Sequence, residues 1–476
     1  MATATTKSSS RRSHASLPVI AGSSLAGTAV EWYDFFLYGT AAALVFNEVF
    51  FPADDPLVGT MLAFATYAVG FIARPLGAAV LGHYGDVKGR RATLIASLML
   101  MGFSTFLIAF LPSYAAIGVG APLLLVFLRL VQGFALGGEW GGAVLLVSEH
   151  GDSTRRAFWS SWPNLGPPLG NLMAAGALAI LSGVMSEEAF LSWGWRIAFA
   201  LSAVMVIVGL VLRLYVAETP LFEKSQQKAK SETRRMPLGA AVRGYWRQIL
   251  LAAFSRFGEN AGFYIFSLFV ITYLTQILDL DRSTGLNAVM IGMVVALVTI
   301  PLFAILADRI GRRPIYISAS LATIVWAFVF FGLLDTKNTV AIIVAVSVGL
   351  LIFAAYSAVI GAFFSELFPT EVRYSGVSLA YNLASVLAGS LAPIIAIALY
   401  NWFDTGYAIG AYLAVMGVIS LIAAIIARET QSVDLATVGT TRDDAGLDHE
   451  PDEDRTAAGE TTTTGTKQQP STAVAR

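Results

Sequence analysis

The sequence predicts an all-α polytopic membrane protein with twelve transmembrane helices in two pseudo-symmetric six-helix bundles. Hydrophobic residues fill 56% of the 476 positions and charged residues only 13%, with a mean hydropathy of +0.67, which is too apolar for soluble domains. The apolar residues form twelve runs long enough to cross a bilayer, and one charged loop motif occurs twice. Because backbone groups in lipid must be paired within their own segment, the runs are expected to be helices.

Each predicted span is an apolar run bounded by charged or turn-forming residues. In the first half the spans cover residues 17–46, 57–81, 92–111, 120–147, 157–185 and 195–216, and in the second half residues 247–277, 286–307, 314–334, 338–364, 374–401 and 405–427. Polar composition outside these runs predicts a cytosolic N-terminal segment (1–16), a cytosolic linker (217–246) between the bundles (17–216 and 247–427), and a disordered cytosolic tail (428–476).

The basic residues predict the orientation of the chain. Apart from arginines within spans, only Arg196, Arg282 and Lys337 fall on the side opposite the N-terminus. Because cytoplasmic loops are enriched in lysine and arginine, both termini are expected in the cytosol, with the protein in the inner (plasma) membrane. The first apolar run is far longer than a signal-peptide core, so it is interpreted as a span that is retained.

Charge and composition exclude several classes of function. A net charge of −1, from 31 basic and 32 acidic residues, gives no nucleic-acid-binding signature. The chain has no cysteine, and none of its four histidines lies in a span, so proton chemistry at membrane depth must use carboxylates. A membrane enzyme would need a catalytic constellation or a metal-ligand spacing that the sequence lacks, and a receptor would normally append a folded soluble domain. We therefore expect neither an enzyme nor a bound cofactor.

A repeated loop motif predicts two related halves. The pattern Asp-x-x-Gly-Arg-Arg starts at Asp86 and again at Asp308, and the pair Ser-Glu at 148–149 recurs at 365–366. For Arg91 and Arg313, a role in fixing the membrane orientation of the loops explains the basic residues as well as a role in a charge network does. For the other charges we favour a cytoplasmic gate that breaks and re-forms as the halves rock; its predicted members are Asp86, Arg90, Glu149, Asp308, Arg312, Glu366 and Arg373, with Arg155 and Glu371 on the same side.

Four further motifs resemble those of a known family. They are GTAVEWYDFFLYG (27–39), FIARPLG (71–77), RLVQGFALGGEWGGAVLLVSE (129–149) and LSWGWRIAF (191–199). With the paired loops, they make the chain resemble a major facilitator superfamily transporter, in particular the bacterial metabolite:proton symporters, over about residues 16–430. The resemblance implies two six-span halves and a functional monomer. Shikimate, α-ketoglutarate and proline/betaine carriers belong to that family, and the shikimate type is the most similar.

Apart from Arg196 and Arg247 in the first two positions of their spans, eight charged residues lie within the predicted spans, where each costs at least about 2.5 to 3.5 kcal/mol. Equal numbers of acids and bases suggest pairing. By helical rise, Asp34 and Arg129 differ in depth by about 4.5 Å, which an arginine side chain covers. In the sugar-porter branch of the superfamily, acid and base at these positions form the proton-coupling pair, a role that the resemblance implies here. Glu31 lies one turn from Asp34 and is expected to join them. The eight are Glu31, Asp34, Glu139, Glu259, Arg74, Arg129, Arg213 and Arg256.

Candidate substrate contacts come from residues that share a depth or a helix face. Arg74 and Glu139 lie at similar depth in the membrane. They form either a structural ion pair or part of a binding site. Charged, amide and aromatic side chains share one face of span seven, which indicates either substrate contact or ordinary packing of the aromatic rings. Prolines interrupt span five, and such interruptions mark binding regions in carriers. Interhelical hydrogen bonding is the other explanation for the amides. The candidates are Arg74, Glu139, Asn164, Asn171, Arg256, Glu259, Asn260, Tyr264, Tyr381 and Asn382.

These observations together predict a proton-coupled symporter that imports a small polar metabolite by alternating access. Arginines at cavity depth favour an anionic or zwitterionic substrate because a guanidinium binds a carboxylate in a bidentate way. A shikimate-like hydroxy acid or a dicarboxylate fits this description, and the proton is the coupling ion. The alternatives are a uniporter or exporter of the same fold, or a symporter of proline- or betaine-like zwitterions.

Overall fold

A computed structural model describes residues 17–431, apart from residues 89, 138, 151–152, 216–236 and 370–371, together with residues 433 and 435. Every regular element in this part of the chain is a helix. The predicted N-terminal segment, most of the linker and most of the tail lie outside the described residues. We number the membrane-crossing helices as spans 1 to 12, and several of them consist of more than one helical segment.

The first half contains six spans in the predicted order. Spans 1 to 3 are the helices Leu17–Leu44, Pro56–Lys88 and Arg90–Ile108. Span 4 is formed by Gly120–Leu136 and Glu139–His150, span 5 by Arg156–Ser160, Pro163–Leu165 and Gly166–Val184, and span 6 by Glu187–Ala189, Phe190–Gly194 and Trp195–Tyr215.

The second half repeats this arrangement. Span 7 is formed by Pro237–Ser255, Phe257–Tyr264, Ile265–Phe269, Val270–Thr272 and Tyr273–Ile277, and spans 8 to 10 are Arg282–Ile310, Arg312–Leu334 and Thr339–Leu367. Span 11 is formed by Arg373–Ala384, Ser385–Ser390 and Ala392–Phe403, and span 12 is Gly406–Ile426.

Helices occur at all twelve predicted positions, and ten of these regions are long and apolar enough to cross a membrane within the described residues. Spans 1 and 3 are not among the ten, and the apolar stretch of span 3, Ile95–Ile108, is shorter than the others. Three boundaries differ from the prediction. Span 2 continues to Lys88 through the expected turn, span 6 begins earlier, at Glu187, and span 7 begins at Pro237, inside the expected linker, with a non-helical Tyr245.

Helix pairing repeats between the halves. In the first half span 1 packs on span 5, span 2 on span 4 and span 3 on span 6. In the second half the corresponding pairs are spans 7 and 11, spans 8 and 10, and spans 9 and 12. The halves meet where span 5 contacts span 8 and span 2 contacts span 11. This correspondence confirms the two pseudo-symmetric bundles that the repeated loop motif predicts.

Irregular helix segments concentrate where the halves face each other. Span 5 contains a 3-10 turn at Pro163–Leu165, span 7 is interrupted at Arg256 and has π-helical segments, and span 11 has a π-helix at Ser385–Ser390. At membrane depth, such irregular backbone is tolerated where it is buried in protein or lines a cavity. The interruptions of spans 5, 7 and 11 therefore lie at the surface where the two halves meet.

Close packing of spans 2 and 4 requires glycine. A Cβ atom at Gly133 would lie 1.8 Å from the carbonyl oxygen of Gly70, and one at Gly77 would lie 1.8 Å from that of Phe134. Small residues that let two backbones approach are typical of helix contacts in membranes.

Replacing Gly133 with alanine should therefore destabilise the bundle. Because two backbones would have to separate, we expect Gly133→Ala to cost about 1 to 3 kcal/mol, as overpacking does elsewhere. Gly183→Ala is the matched control, since nothing lies within 4 Å of a Cβ at that position. Thermal unfolding in detergent measures both variants, and equal midpoints would contradict the requirement for glycine.

Candidate functional site

Two adjoining cavities lie between the halves and share Trp32 and Tyr381 in their walls. The first lies among spans 1, 2, 4 and 11, and the second among spans 1, 5, 7, 10 and 11. The first is lined by Thr28, Glu31, Trp32, Phe35, Arg74, Leu136, Gly137, Trp140, Gly141, Ser378, Tyr381 and Asn382. The second is lined by Trp32, Asn164, Pro167, Arg256, Glu259, Asn260, Phe263, Tyr264, Phe353, Ser357, Ile360 and Tyr381.

A three-layer stack of flat groups contributes to the walls of both cavities. The Trp140 and Tyr381 rings are stacked with centroids 3.8 Å apart and planes inclined by 19°. The Arg256 guanidinium carbon lies 3.6 Å from the centroid of the Tyr381 ring. Because Trp140 belongs to the first half and the other two residues to the second, the stack joins the halves through aromatic and cation–π contacts.

Asn164 connects the same two halves by hydrogen bonds. Its side-chain oxygen accepts from the Trp140 indole nitrogen at 3.0 Å, and its amide nitrogen donates to the Ser357 carbonyl at 2.8 Å. The 3-10 turn Pro163–Leu165 places Asn164 at this junction. Among the contacts described, the amide therefore serves interhelical bonding, which was the alternative explanation for this residue.

Arg256 is held by several partners at the start of the Phe257–Tyr264 helix. It forms an ion pair with Glu259 at 2.9 Å and donates to the Ser385 hydroxyl at 2.8 Å and to the Tyr381 carbonyl at 3.2 Å. Both members of the ion pair are 5% exposed. Arg256 thus presents a fixed, planar cation to the second cavity, with Glu259 as its counter-ion.

Arg74 and Glu31 line the first cavity and are each 4% exposed. The Arg74 guanidinium carbon lies 4.3 Å from the Phe71 ring centroid and 4.6 Å from that of Phe35, and within the described part of the chain the Arg74 Nε has no hydrogen-bond partner. A buried guanidinium N–H without a partner is costly. A ligand acceptor in the first cavity would satisfy it.

Asp34 lies outside both cavity walls, on the side of span 1 that packs within the first half. Its carboxylate is 2% exposed and accepts a hydrogen bond from the Ser202 hydroxyl of span 6. Arg129 is 1% exposed, and its guanidinium carbon lies 4.4 to 4.6 Å from the ring centroids of Phe35, Tyr38 and Tyr67. The ion pairs of the described residues do not include one between Asp34 and Arg129, so the direct contact expected from their depths is absent in this conformation.

A charge cluster closes the predicted cytosolic end. One Glu366 carboxylate oxygen accepts from Arg156 at 2.8 Å and from Arg312 at 3.2 Å, which joins the two halves. Asp308 pairs with Arg312 at 3.2 Å and accepts from the backbone N–H groups of residues 157 and 158, each at 2.9 Å. Asp308, Arg312 and Glu366 therefore lie together, as the repeated loop motif predicts.

The chain after span 12 crosses this cluster. The Glu429 carboxylate accepts from the backbone N–H groups of Arg312 and Arg313 at 2.9 and 3.0 Å, and the Thr430 hydroxyl donates to Glu366 at 2.6 Å. Arg373 donates to the Leu435 carbonyl at 2.7 Å. The start of the predicted disordered tail is therefore bound to the bundle.

The opposite end is also closed. Gln276 of span 7 donates to Thr60 of span 2 at 2.8 Å, and Arg282 pairs with Glu187 at 2.7 Å. The two halves are therefore in contact both at the predicted cytosolic end and at the opposite end.

Some predicted site residues are not brought into the cavities. Asn171 is 1% exposed, lines neither cavity, and has no hydrogen-bond partner for its amide. The side chains of Glu139, Asp86, Arg90 and Glu149 lie outside the described residues, as does Glu371. In the described part of the chain no group of three potential metal ligands occurs.

Sequence reasoning missed several residues that the structure places in the cavity walls, beside Asp34 or in the charge cluster. Trp140 and Trp32 stand within the quoted motifs, but no spacing rule distinguishes a cavity tryptophan from a packed one. Arg156 follows the polar residues 151–155, just before the predicted start of span five, where a basic residue is usual in a loop. The residues missed are Trp32, Trp140, Gly141, Arg156, Ser202, Glu429 and Thr430.

Sequence comparisons identify relatives that cover most of the chain. Over 416 residues it is 43% identical to the inner membrane metabolite transport protein YhjE of Escherichia coli, covering 86% of this chain and 93% of that protein. It is 40% identical to the shikimate transporter of the same organism, covering 86% of this chain and 94% of the relative. It is 35% identical to the proline/betaine transporter of Salmonella typhimurium, covering 85% of this chain and 82% of the relative.

Structural comparison agrees with the fold. The xylose transporter XylE from Escherichia coli, in a partially occluded inward-open conformation, superposes with a TM-score of 0.69 at 18% identity, covering 88% of this chain and 99% of that chain. The family model described as Major Facilitator Superfamily matches residues 24–393 and 253–444. The family model, the similarity to these transport proteins, the paired bundles and the repeated loops show that the chain belongs to the major facilitator superfamily.

Proposed function

We propose that the protein is a proton-coupled symporter that imports a small organic carboxylate by alternating access. The observation that supports this most directly is the Arg74 guanidinium, which lines the first cavity while its Nε lacks a hydrogen-bond partner among the described residues. A carboxylate would supply the missing acceptor in a charge-assisted bond. Arg256 presents a second planar cation in the adjoining cavity.

The cavity walls favour a substrate with one flat or compact apolar face. Trp32, Trp140 and Tyr381 supply aromatic surfaces beside the two arginines. A hydroxylated ring acid of the shikimate type combines a carboxylate with such a face, and a 40% identical relative is named a shikimate transporter. The zwitterion alternative is a proline- or betaine-like substrate. It is supported by Glu31 and Glu259 in the same walls and by the 35% identical proline/betaine transporter.

Alternating access would use the two closures already described. Opening toward the predicted cytosolic side requires the Trp140–Tyr381 stack and the Glu366 cluster to separate, whereas opening to the other side requires the Gln276–Thr60 contact to separate.

We assign Asp34 as the protonation site, with Arg129 as its partner and Glu31 as a second carboxylate nearby. The solved xylose carrier with this fold is described as a proton:xylose symporter. A uniporter or an exporter is the alternative within the same fold.

Orientation and assembly complete the proposal. The distribution of basic residues supports cytosolic termini, so that the Glu366 cluster faces the cytosol. We propose a functional monomer in the cell membrane, with the proton as coupling ion and no cofactor.

An uptake assay in proteoliposomes tests the proposed function. Radiolabelled shikimate, succinate and glycine betaine are offered separately, with an imposed pH gradient acid outside. We expect uphill accumulation of a carboxylate, about tenfold per pH unit if one proton enters with it, and collapse of accumulation when a protonophore is added. Equilibration without accumulation would indicate a uniporter, and accumulation of glycine betaine alone would favour the zwitterion alternative.

Arg256→Lys should weaken substrate binding. Lysine keeps the charge opposite Glu259 but loses the planar stack on Tyr381 and the fork of donors. We expect KM for the accumulated compound to rise at least about tenfold, consistent with loss of one charge-assisted hydrogen bond. Arg247→Lys is the control, because Arg247 is exposed and packs on Trp246 in the same span at 5.4 Å. An unchanged KM in Arg256→Lys would remove this residue from the binding site.

A further inference from the structure

Asn260 presents an unpaired amide group to the second cavity. It belongs to the Phe257–Tyr264 helix of span 7 and is 1% exposed. Its side chain lines the cavity, and within the described part of the chain its Nδ2 atom has no hydrogen-bond partner. The other amide in these walls, Asn164, uses both of its ends, on Trp140 and Ser357. Because a buried N–H group without an acceptor is costly, Asn260 is a donor that a ligand in this cavity would satisfy.

Span 11 holds this amide in place through Gly389. A Cβ atom at Gly389 would lie 2.7 Å from Oδ1 of Asn260 and 2.7 Å from Cε2 of Tyr264. Both side chains therefore occupy space that a larger residue in span 11 would need. Gly389 belongs to the π-helix of span 11, whose first residue, Ser385, accepts a hydrogen bond from Arg256 at 2.8 Å. One irregular segment of span 11 thus positions two polar side chains of the second cavity.

The charges beside Asn260 decide which chemical group its amide can bind. Glu259 precedes it in the same wall, and the Arg256 guanidinium is paired with this carboxylate at 2.9 Å. A second carboxylate of a ligand would lie next to the Glu259 charge, where like charges repel. A quaternary ammonium group has no lone pair with which to accept from an amide. A hydroxyl group accepts from the Asn260 amide and can donate its own proton to a carboxylate, so it fits both neighbours.

We infer that Asn260 is a specificity-determining residue that recognises a hydroxyl group of the substrate, and that Gly389 is the residue that positions it. This inference rests on the proposed function, which places the substrate carboxylate at Arg74. The two ends of the substrate then differ in chemistry, because the carboxylate binds in the first cavity and a hydroxyl group in the second. The substrate class is accordingly a hydroxylated monocarboxylate, and neither a dicarboxylate nor a betaine-like zwitterion.

The test compares two ligands that differ only in their hydroxyl groups. Shikimate carries hydroxyl groups on a cyclohexene ring, whereas cyclohexene carboxylate has the same ring and the same carboxylate without them. Calorimetric titration of the full chain in detergent gives the dissociation constant of each acid, and succinate and glycine betaine are titrated beside them. The ratio of the two dissociation constants measures the recognition of hydroxyl groups. This ratio does not change when a variant only loses part of its folded protein.

Two variants and two matched controls are titrated in this way. Asn260→Leu removes the amide at nearly constant volume, and its control is Asn47→Leu. Asn47 is also a buried amide with an unpaired atom among the described residues, but it lines neither cavity. Gly389→Ala displaces the Asn260 side chain, and its control is Gly410→Ala. A Cβ atom at Gly410 would lie 2.8 Å from the carbonyl oxygen of Ala327, a similar overlap within the same half but outside both cavity walls.

We expect the parent to bind shikimate at least about tenfold more tightly than cyclohexene carboxylate, because the second acid leaves the Asn260 amide unpaired. The ratio should fall at least about fivefold in Asn260→Leu and in Gly389→Ala, and the two controls should keep it. An unchanged ratio in Asn260→Leu, or a parent that prefers succinate, would overturn the inference and leave the proposed carboxylate transport intact. An unchanged ratio in Gly389→Ala alone would remove the positioning role of Gly389. A parent that binds none of the three acids would overturn the proposed function itself.

Discussion

Asp34→Asn is expected to abolish proton-driven accumulation while leaving exchange of substrate across the membrane intact. Asparagine has nearly the shape of aspartate and can still accept from Ser202, but it cannot take up a proton. Because coupling requires a side chain that is charged in one state and neutral in another, the variant should only equilibrate the substrate. Uptake under an acid-outside gradient and counterflow at equal pH measure the two activities separately.

A matched control for this variant is Asp335→Asn. The Asp335 carboxylate also accepts from a hydroxyl, that of Tyr273 at 2.6 Å, but it lies at the opposite end of span 9 from the charge cluster and lines neither cavity. We expect its accumulation to match that of the parent. Undiminished proton-dependent accumulation in Asp34→Asn would remove Asp34 from the mechanism.

Glu366→Gln is expected to open the predicted cytosolic end. The carboxylate is 3% exposed and is shared by Arg156, Arg312 and Thr430. Removing the acidic partner of a buried ion pair typically costs about 3 to 5 kcal/mol, because the remaining charge is left uncompensated. When the halves separate, water can reach the two arginines. The free-energy cost of Glu366→Gln should therefore destabilise the closed conformation and leave the open conformation almost unaffected.

Because the chain has no cysteine, Ser378→Cys introduces a single thiol in the first cavity. Labelling of this thiol by a membrane-impermeant maleimide from the cytosolic face of oriented vesicles measures the opening. We expect the labelling rate to rise at least about tenfold, which corresponds to about 1.4 kcal/mol. Glu187→Gln is the control, since its pair with Arg282 lies at the other end and the Glu187 side chain is 74% exposed, where ion pairs contribute little. An unchanged rate in Glu366→Gln would show that the cluster does not hold the cytosolic end closed.

The spans were predictable because lipid imposes a simple rule on local sequence. A run of apolar residues long enough to cross the bilayer must form a helix whatever its neighbours are. The largest differences lie at polar ends, where span 2 runs to Lys88 and span 7 starts at Pro237. Those ends are set by packing and solvation, and hydropathy does not report either one.

Part of the charge cluster at the predicted cytosolic end was predictable because a repeat is a sequence feature. The second loop placed Asp308 and Arg312 beside Glu366 as expected. Arg156 and Thr430 were not predicted as their partners. The first follows an ordinary polar loop, and the second begins a tail whose composition predicts disorder, so only contacts distant in sequence reveal them.

The sequence by itself determined twelve spans, the duplication and which charges lie at membrane depth, since rise per residue and the cost of charge in lipid act along one helix. Only the tertiary structure decided which of those charges meet. The direction in which a side chain leaves its helix depends on packing against helices far away in sequence. For that reason Asp34 lies on Ser202, Arg129 lies among aromatic rings, and Trp140 stacks on Tyr381.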